Sequence, residues 1–501
     1  MSSTDHTRWP TWQSGRELVR LAWPFILTNS CWTLQIVLDR ILLSRSSTEA
    51  VGAGMAAVMM FWSALSLFQW TTNYATTFVA QYTGAGQPHR IGAVVGQALW
   101  FATFSGLAFL LLVPMAGPIV ALSGHDPDLQ ALEAVYFRCL CFSALPFLVT
   151  AAASSFFAGR GASTTVLLIN VIGLSVNAFW AVVLIYGLLG FAPMGIAGAG
   201  WATGAGTSTS AVVAVLLALR PQHIQVFNNG RGWGFDRPLF WRLMYYGVPQ
   251  GIGTALETLA FSAFLIFIGR LGTADLAATS IACTLNLLAF LPLMGIGQTI
   301  EVLVGQYLGA DRPQGAERAV WTGLLFAVSA TLLVAATYAL LPHLLAWPFR
   351  TVNDPAGWEE VSARVPLLLR FVAVYCLFDC LNVVFAFALR GAGDTRFVTA
   401  VSLLVAWPVM VLPTYLAWRQ GWGLYPAWAF ASLYVVVVAM VYLARFLQGR
   451  WKQLRVIEMP GEGDTGEEEW ALAGAREHGS APPLGTASAV AGRAGEASGS
   501  T

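Results

Sequence analysis

The chain has 501 residues and a net charge of +1, and it is 56% hydrophobic but only 11% charged. Soluble domains average about 25% charged residues, so composition excludes a globular enzyme and points to an integral membrane protein. The near-neutral balance offers nothing to nucleic acid. Long apolar runs without two-residue alternation exclude an outer-membrane barrel.

A helical span needs about 20 mostly apolar residues. By that measure spans fall at 18–43, 51–81, 93–122, 133–157, 165–189, 196–219, 244–269, 276–306, 319–347, 365–389, 397–418 and 424–447. The first run is longer than a signal-peptide core and lacks a small-residue cleavage site, so the chain is expected to enter the bilayer through its own spans. The longest polar connection, RPQHIQVFNNGRGWGFDRPLFWR, lies in the middle at 220–242. Beyond Gln448 the chain is rich in Gly, Ala, Ser and Glu and is expected to be disordered.

Arginines set the orientation. The flank before span 1, the central connection and loops 2–3, 8–9 and 10–11 carry them, whereas loops 3–4 and 5–6 carry no Lys or Arg. The positive-inside rule then places both termini and the central connection in the cytoplasm. We call this the basic face.

A shift of 225 residues lays Pro24 on Pro249, Arg45 on Arg270, and VAQYTGAGQP (79–88) on VGQYLGADRP (304–313). RGAST (160–164) resembles RGAGD (390–394) at a shift of 230. Two halves of six spans share one orientation, as in parallel-repeat carriers, which bind substrate between the halves near the midplane. The expected fold is all-α and polytopic: twelve transmembrane helices in two six-helix pseudo-symmetric lobes. The expected division is a flank (1–17), an N-lobe (18–219), a linker (220–243), a C-lobe (244–447) and a tail (448–501).

Acids inside spans are rare and functional by default. Asp379 lies mid-span in span 10, with Tyr375, Cys376 and Asn382 at helical spacing. Glu257 lies mid-span in span 7, sharing a face with Thr254 and Phe261. Asp39 follows Trp32 and Gln35 along span 1. Its neighbour Arg40 faces elsewhere on the helix and has no assigned role. The competing readings are helix–helix packing for Glu257 and Asp379, and an interfacial Asp–Arg end cap for Asp39. Glu301 is read as a solvated position at the cytoplasmic mouth of span 8. The six cysteines fall in spans without a CxxC, and we read them as small apolar residues.

Across residues 15–447 the sequence resembles the multidrug and toxic compound extrusion (MATE) family. The residues that carry the resemblance are Pro24, Asp39, QYTGA (81–85), QYLGA (306–310), Glu257 in GTALETLAF, and YCLFDCLNVVFAFALRGAGDT (375–395). Glu257 and Asp379 together most resemble the NorM-type branch. The resemblance implies a secondary active antiporter, not an enzyme, that exports organic cations in exchange for Na⁺ or H⁺. It implies a second-lobe cation site at Glu257, Asp379, Tyr375 and Asn286, and a first-lobe cation or proton site at Asp39, Asn177 and Thr203. Some members carry a further Asp or Asn where this chain has Ala181, which thins the first-lobe site. Pro24 is a hinge candidate.

No cofactor is implied beyond the coupling ion. The expected partners are the bilayer of the inner (plasma) membrane and a small cationic, aromatic substrate, with the protein acting as a monomer. Trp32, Phe261 and Phe264 are candidate cavity aromatics. QYTGA and QYLGA are read as glycine-capped span ends, and Arg45 and Arg270 as snorkelling anchors. The alternative reading keeps the fold but changes the cargo to a lipid-linked or endogenous metabolite.

Overall fold

Each apolar run becomes a helix because a backbone in lipid has no water to satisfy its N–H and C=O groups. The computed structural model describes residues 12–44, 48–121, 125–349 and 355–458. Among these, eleven helices are long and apolar enough to cross a membrane: Ser14–Ser44, Gly52–Gly84, Pro88–Leu110, Pro127–Gly159, Ser163–Tyr186, Gly195–Ala218, Arg237–Leu271, Pro313–Leu340, Trp358–Ala392, Thr395–Gln420 and Leu424–Leu447. The bent pair Thr273–Leu287 and Ala289–Gly309 makes twelve when counted as one. We number them spans 1–12 in chain order. The all-helical polytopic fold is the one expected.

Local chemistry sets the ends. Spans 3, 4 and 9 begin at Pro88, Pro127 and Pro313, where a missing N–H costs nothing. Span 7 begins at Arg237, earlier than the expected 244, because the Asp236 carboxylate accepts from Leu239 N at 3.2 Å and caps it. Span 11 contains a π-helical stretch, Ala406–Val411, around Pro408; proline has no N–H for the regular ladder. Span 1 continues through Pro24. Most hydroxyls inside spans bond back one turn, as Thr254 does to Gln250 O at 3.1 Å and Thr71 to Leu67 O at 2.8 Å.

The two halves meet on the basic face through their repeated turns. A Cβ on Gly84 would run into Gln306 O, and one on Gly309 would run into Gln81 O. These positions are repeat equivalents, so each half lays a glycine on the other half's backbone. Gln306 Nε2 donates to Gly159 O at 2.8 Å, and Gln81 Nε2 donates to Gly391 O at 3.1 Å. The expected glycine caps are corrected here. Gly84 and Gly309 permit close approach, and the left-handed residues that finish the turns are Gly86 (φ 68°) and Asp311 (φ 54°).

Span 1 straddles the halves. Leu18 and Ala22 belong to a core with Leu293, Ile300, Val384 and Phe446 of the second half. The backbone of Ile26 lies against Gly295. Near its other end, Leu42 O accepts from Tyr186 OH at 2.9 Å in the first half.

The central connection folds onto span 3. Gly92 admits the Phe227 and Asn228 carbonyls, and Gly96 admits Trp233. Gln97 donates to Gly234 O at 2.8 Å and accepts from Asp236 N at 3.1 Å. Arg160 lies over the rings of Phe156 and Phe227, at 4.5 and 4.0 Å.

The expected disordered tail starts too early at 448. Residues Arg450–Gln453 form a short 3₁₀ turn whose Trp451 is buried and stacked on Phe446 at 4.8 Å. The apolar surface of that indole supplies the burial that the following sequence lacks. Residues 459–501 lie outside the described residues, as does Arg45's side chain. Arg270 packs its guanidinium over Trp418 at 4.7 Å.

Candidate functional site

Inside the second half, spans 7, 10, 11 and 12 bring oxygen donors together. Asp379 Oδ1 accepts from Asn382 Nδ2 at 3.3 Å, one turn along span 10. Glu257 lies close enough for its charge to act on Asp379, and both charges act on the phenol of Tyr434 in span 12. Ser402 of span 11 donates to Glu257 Oε1. The hydroxyl of Tyr442 stands 2.9 Å from Ser402 Oγ and 2.9 Å from Val398 O. Two carboxylates, an amide, a hydroxyl and a phenol are the ligand set of a hard cation. The same carboxylates can take protons.

Two expected members sit at the edge. Tyr375 lies one turn before Asp379, within reach of its charge, with its ring 6.4 Å from Trp428. Asn286 Oδ1 accepts from the Cys376 thiol at 3.1 Å rather than from the carboxylates' partners. Ser402, Tyr434 and Tyr442 were not found from the sequence. The one signal was the spacing of the two tyrosines, eight residues apart on one helix.

In the first half, Asp39 is buried and its Oδ1 has no hydrogen-bond partner. Asn177 Nδ2 donates to Thr203 Oγ1 at 3.4 Å, and its Oδ1 is likewise buried and unpartnered. Close packing produces this pair. Gly173 lies against Ser210, and Gly206 lies against Asn177 Cβ, so spans 5 and 6 approach at near-backbone distance. Gly200 likewise admits Cys139 and Tyr136 of span 4. The Tyr136 phenol lies beside Thr203 and within the field of Asp39, a member the sequence did not reveal. Two buried oxygens without donors need a proton, a cation or water to compensate them. Ala181 is fully buried apolar surface and supplies none of these. Arg40 is exposed and makes no ion pair among the described residues.

A cavity of about 420 Å³ lies between the halves, bounded by spans 1, 2, 4, 5 and 6 on one side and spans 7, 8 and 10 on the other. That size suits a drug-like molecule. Trp32, Trp62 and Phe147 form one wall, with Trp32 and Trp62 at 4.9 Å and Trp62 and Phe147 at 6.0 Å. Of the three candidate aromatics, Trp32 lines the cavity. Phe264 is instead buried in a core of spans 7, 8 and 10, and Phe261 is exposed away from it. Asn29, Gln69, Asn73 and Gln298 add amides. The expected coupling residues do not line the cavity, whereas Glu301 does.

The reading of Glu301 as a solvated mouth position is overturned. It is 6% exposed, accepts from Thr77 Oγ1 at 2.6 Å, and faces the cavity between the halves. Counting residues to the span end placed it near water. The crossing of the two repeated turns covers that end.

A cavity between two six-helix halves, with acids buried inside each half, defines a membrane carrier. The MatE family model matches twice, over residues 24–183 and 249–416, and the two matches begin 225 residues apart, as the repeat does. Relatives include the probable multidrug resistance protein NorM of Mesorhizobium japonicum, 29% identical over 87% of this chain and 94% of that protein. The NorM of Bradyrhizobium diazoefficiens is 30% identical over 86% and 92%, and the multidrug resistance protein PmpM of Pseudomonas aeruginosa 29% identical over 79% and 82%. An outward-facing multidrug resistance MATE family transporter of the MOP superfamily superposes with a TM-score of 0.80 over 91% of this chain and 100% of that one, at 17% identity. The eukaryotic MATE transporter AtDTX14 does so at 0.78 over 88% and 97%, also at 17%. The chain belongs to the MATE family: it is a multi-pass membrane transporter, not an enzyme.

Proposed function

We propose that this chain is a multidrug exporter of the inner (plasma) membrane that expels aromatic organic cations in exchange for Na⁺ or H⁺. It works as a monomer with its basic face in the cytoplasm. The observation that carries this reading is the separation of the acids Glu257 and Asp379 from the inter-lobe cavity. Cargo and coupling ion then have separate places, so each changes the other's affinity through the protein.

In this cycle the cargo binds between the lobes. The lobes rock about span 1, with Pro24 as hinge, and cation or proton binding at the buried acids resets the carrier. Asp39, Asn177 and Thr203 serve the first lobe. Glu257, Asp379, Asn382, Ser402 and Tyr434 serve the second, with Tyr375 and Asn286 shaping its edge. One charge moving down 100 mV contributes about 2.3 kcal/mol to export. A lipid-linked phosphate cargo is disfavoured, since no Lys or Arg is among the lining residues.

The test is flux in proteoliposomes with Na⁺ and pH gradients imposed separately. Wild-type ethidium efflux should follow one of the two gradients. The pair Glu257→Gln, Asp379→Asn should abolish that dependence at normal expression. Undiminished gradient-driven efflux in the double variant would overturn the assignment.

A further inference from the structure

We propose that Glu301 is the charge-recognition residue of the transport cavity, pairing its carboxylate with the positive centre of the cargo. This rests on the cation-export reading above and names the group that carries cargo charge. Glu301 is the one charged side chain among the described residues lining the cavity. Its surroundings are built to hold a charge in place. Thr77 of the other half donates to Oε1 at 2.6 Å, and no described residue donates to Oε2. Gly391 packs directly on its backbone and fixes the helix there. Arg390, on span 10, is near enough to act on the carboxylate electrostatically, yet no ion pair within 4 Å joins them. The acid is therefore held and desolvated but not neutralised by a salt bridge.

The repeat strengthens the argument. At the shift of 225, Glu301 is the equivalent of Thr76, and Thr76 also lines the cavity. The pseudo-symmetry brings the same position of both halves to the cavity wall, and only the second half puts a charge there. A cation in the cavity then has one counter-charge among the described lining residues, and a neutral or anionic molecule has none to use. Because Thr77 belongs to the first half and Glu301 to the second, the bond between them also ties the recognition group to the closure of the basic face.

The experiment is equilibrium binding to purified full-length protein in detergent, with ethidium and tetraphenylphosphonium as probes. The proteins are wild type, Glu301→Gln, Glu301→Asp and Glu360→Gln, an exposed acid near the start of span 10 and outside both sites, each checked by thermal unfolding. Glu301→Gln should weaken both cations about tenfold or more, the loss expected of a desolvated counter-charge worth more than about 1.4 kcal/mol. Glu301→Asp should retain most of the affinity, and Glu360→Gln should bind both probes as wild type does. Wild-type binding with Glu301→Gln within twofold of it would overturn this inference and leave the export reading standing. Equal losses in Glu301→Gln and Glu301→Asp, with lowered unfolding temperatures, would also overturn it and make the group structural. Failure of the wild type to bind either cation would overturn the cation-export reading, and this inference with it.

Discussion

Ser402 decides how Glu257 is held. The hydroxyl donates to the carboxylate and also stands against Tyr442, so one small residue links spans 7, 11 and 12. A hydrogen bond to a charged group contributes about 1.5–3 kcal/mol, and Ser402→Ala removes it while adding no bulk. The expected result is coupled efflux with a coupling-ion half-saturation raised about tenfold or more, in a protein that still folds and still binds ethidium. Transport titrated against the coupling ion checks this, and an unchanged half-saturation would remove Ser402 from the site.

Visibility in the sequence followed rarity. Glu257, Asp379 and Asp39 were legible because an acid in a span costs so much that it has to be explained. Asn382 was legible by helical spacing. Ser402 was not, because a Ser or Thr hydroxyl in a span usually satisfies itself one turn back, as Thr258 does to Thr254 O at 2.9 Å, and Tyr136, Tyr434 and Tyr442 were not, because an aromatic in a span usually packs or sits at the interface. Only tertiary structure separates the exceptions. Glu301 was legible as an acid but misplaced, because nothing local says that another turn covers its end of the helix.

At the scale of elements, the paired turns of spans 2 and 8 bring the backbones of the two halves into direct contact. Gly84 and Gly309 each approach a backbone carbonyl that cannot move aside as a side chain could. On helix propensity alone, Gly→Ala is favourable by about 1 kcal/mol. The Cβ clash with backbone opposes this and wins, because relieving it means shifting a whole span. Gly84→Ala should therefore loosen the closed basic face.

Cys31 reports on this because it lines the cavity. With Cys31 as the sole cysteine, a membrane-impermeant maleimide applied to the basic face should label it faster in Gly84→Ala than with glycine in place. Equal labelling rates would show that the crossing tolerates a methyl group and is not the seal. The sequence had marked these turns through their repetition. It offered no way to know that the glycines serve approach rather than capping, since the left-handed positions two residues later are Gly86 in one copy and Asp311 in the other.

Over the whole molecule, the halves share a scaffold but differ in what they put on it, and the segment after span 12 adds a further asymmetry. Residues 449–456 run back across the basic face. Trp451 donates to Phe446 O at 2.8 Å, Lys452 pairs with Glu317 at 2.7 Å, and Arg455 with Asp311 at 3.0 Å. Val456 N donates to Gln81 Oε1 at 2.9 Å, on the same amide whose nitrogen holds Gly391. This segment thus ties spans 8, 9 and 12 of the second half to span 2 of the first, beside the crossed glycines.

The Arg455–Asp311 pair contributes little, since the Asp311 side chain is 79% exposed and surface pairs are worth about 0–1 kcal/mol. The buried indole carries the attachment; replacing a buried Trp by Ala costs about 3–5 kcal/mol. A chain ending at Leu447 should therefore unfold at a lower temperature and label faster at Cys31 from the basic face. A chain ending at Glu458, which keeps every one of these contacts, should match the full-length protein on both measures. Trp451→Ala alone should reproduce most of the effect of the shorter truncation, and Arg455→Ala very little of it. If Trp451→Ala matched wild type on both measures while the Leu447 truncation did not, the closure would depend on the Val456–Gln81 hydrogen bond instead of on burial.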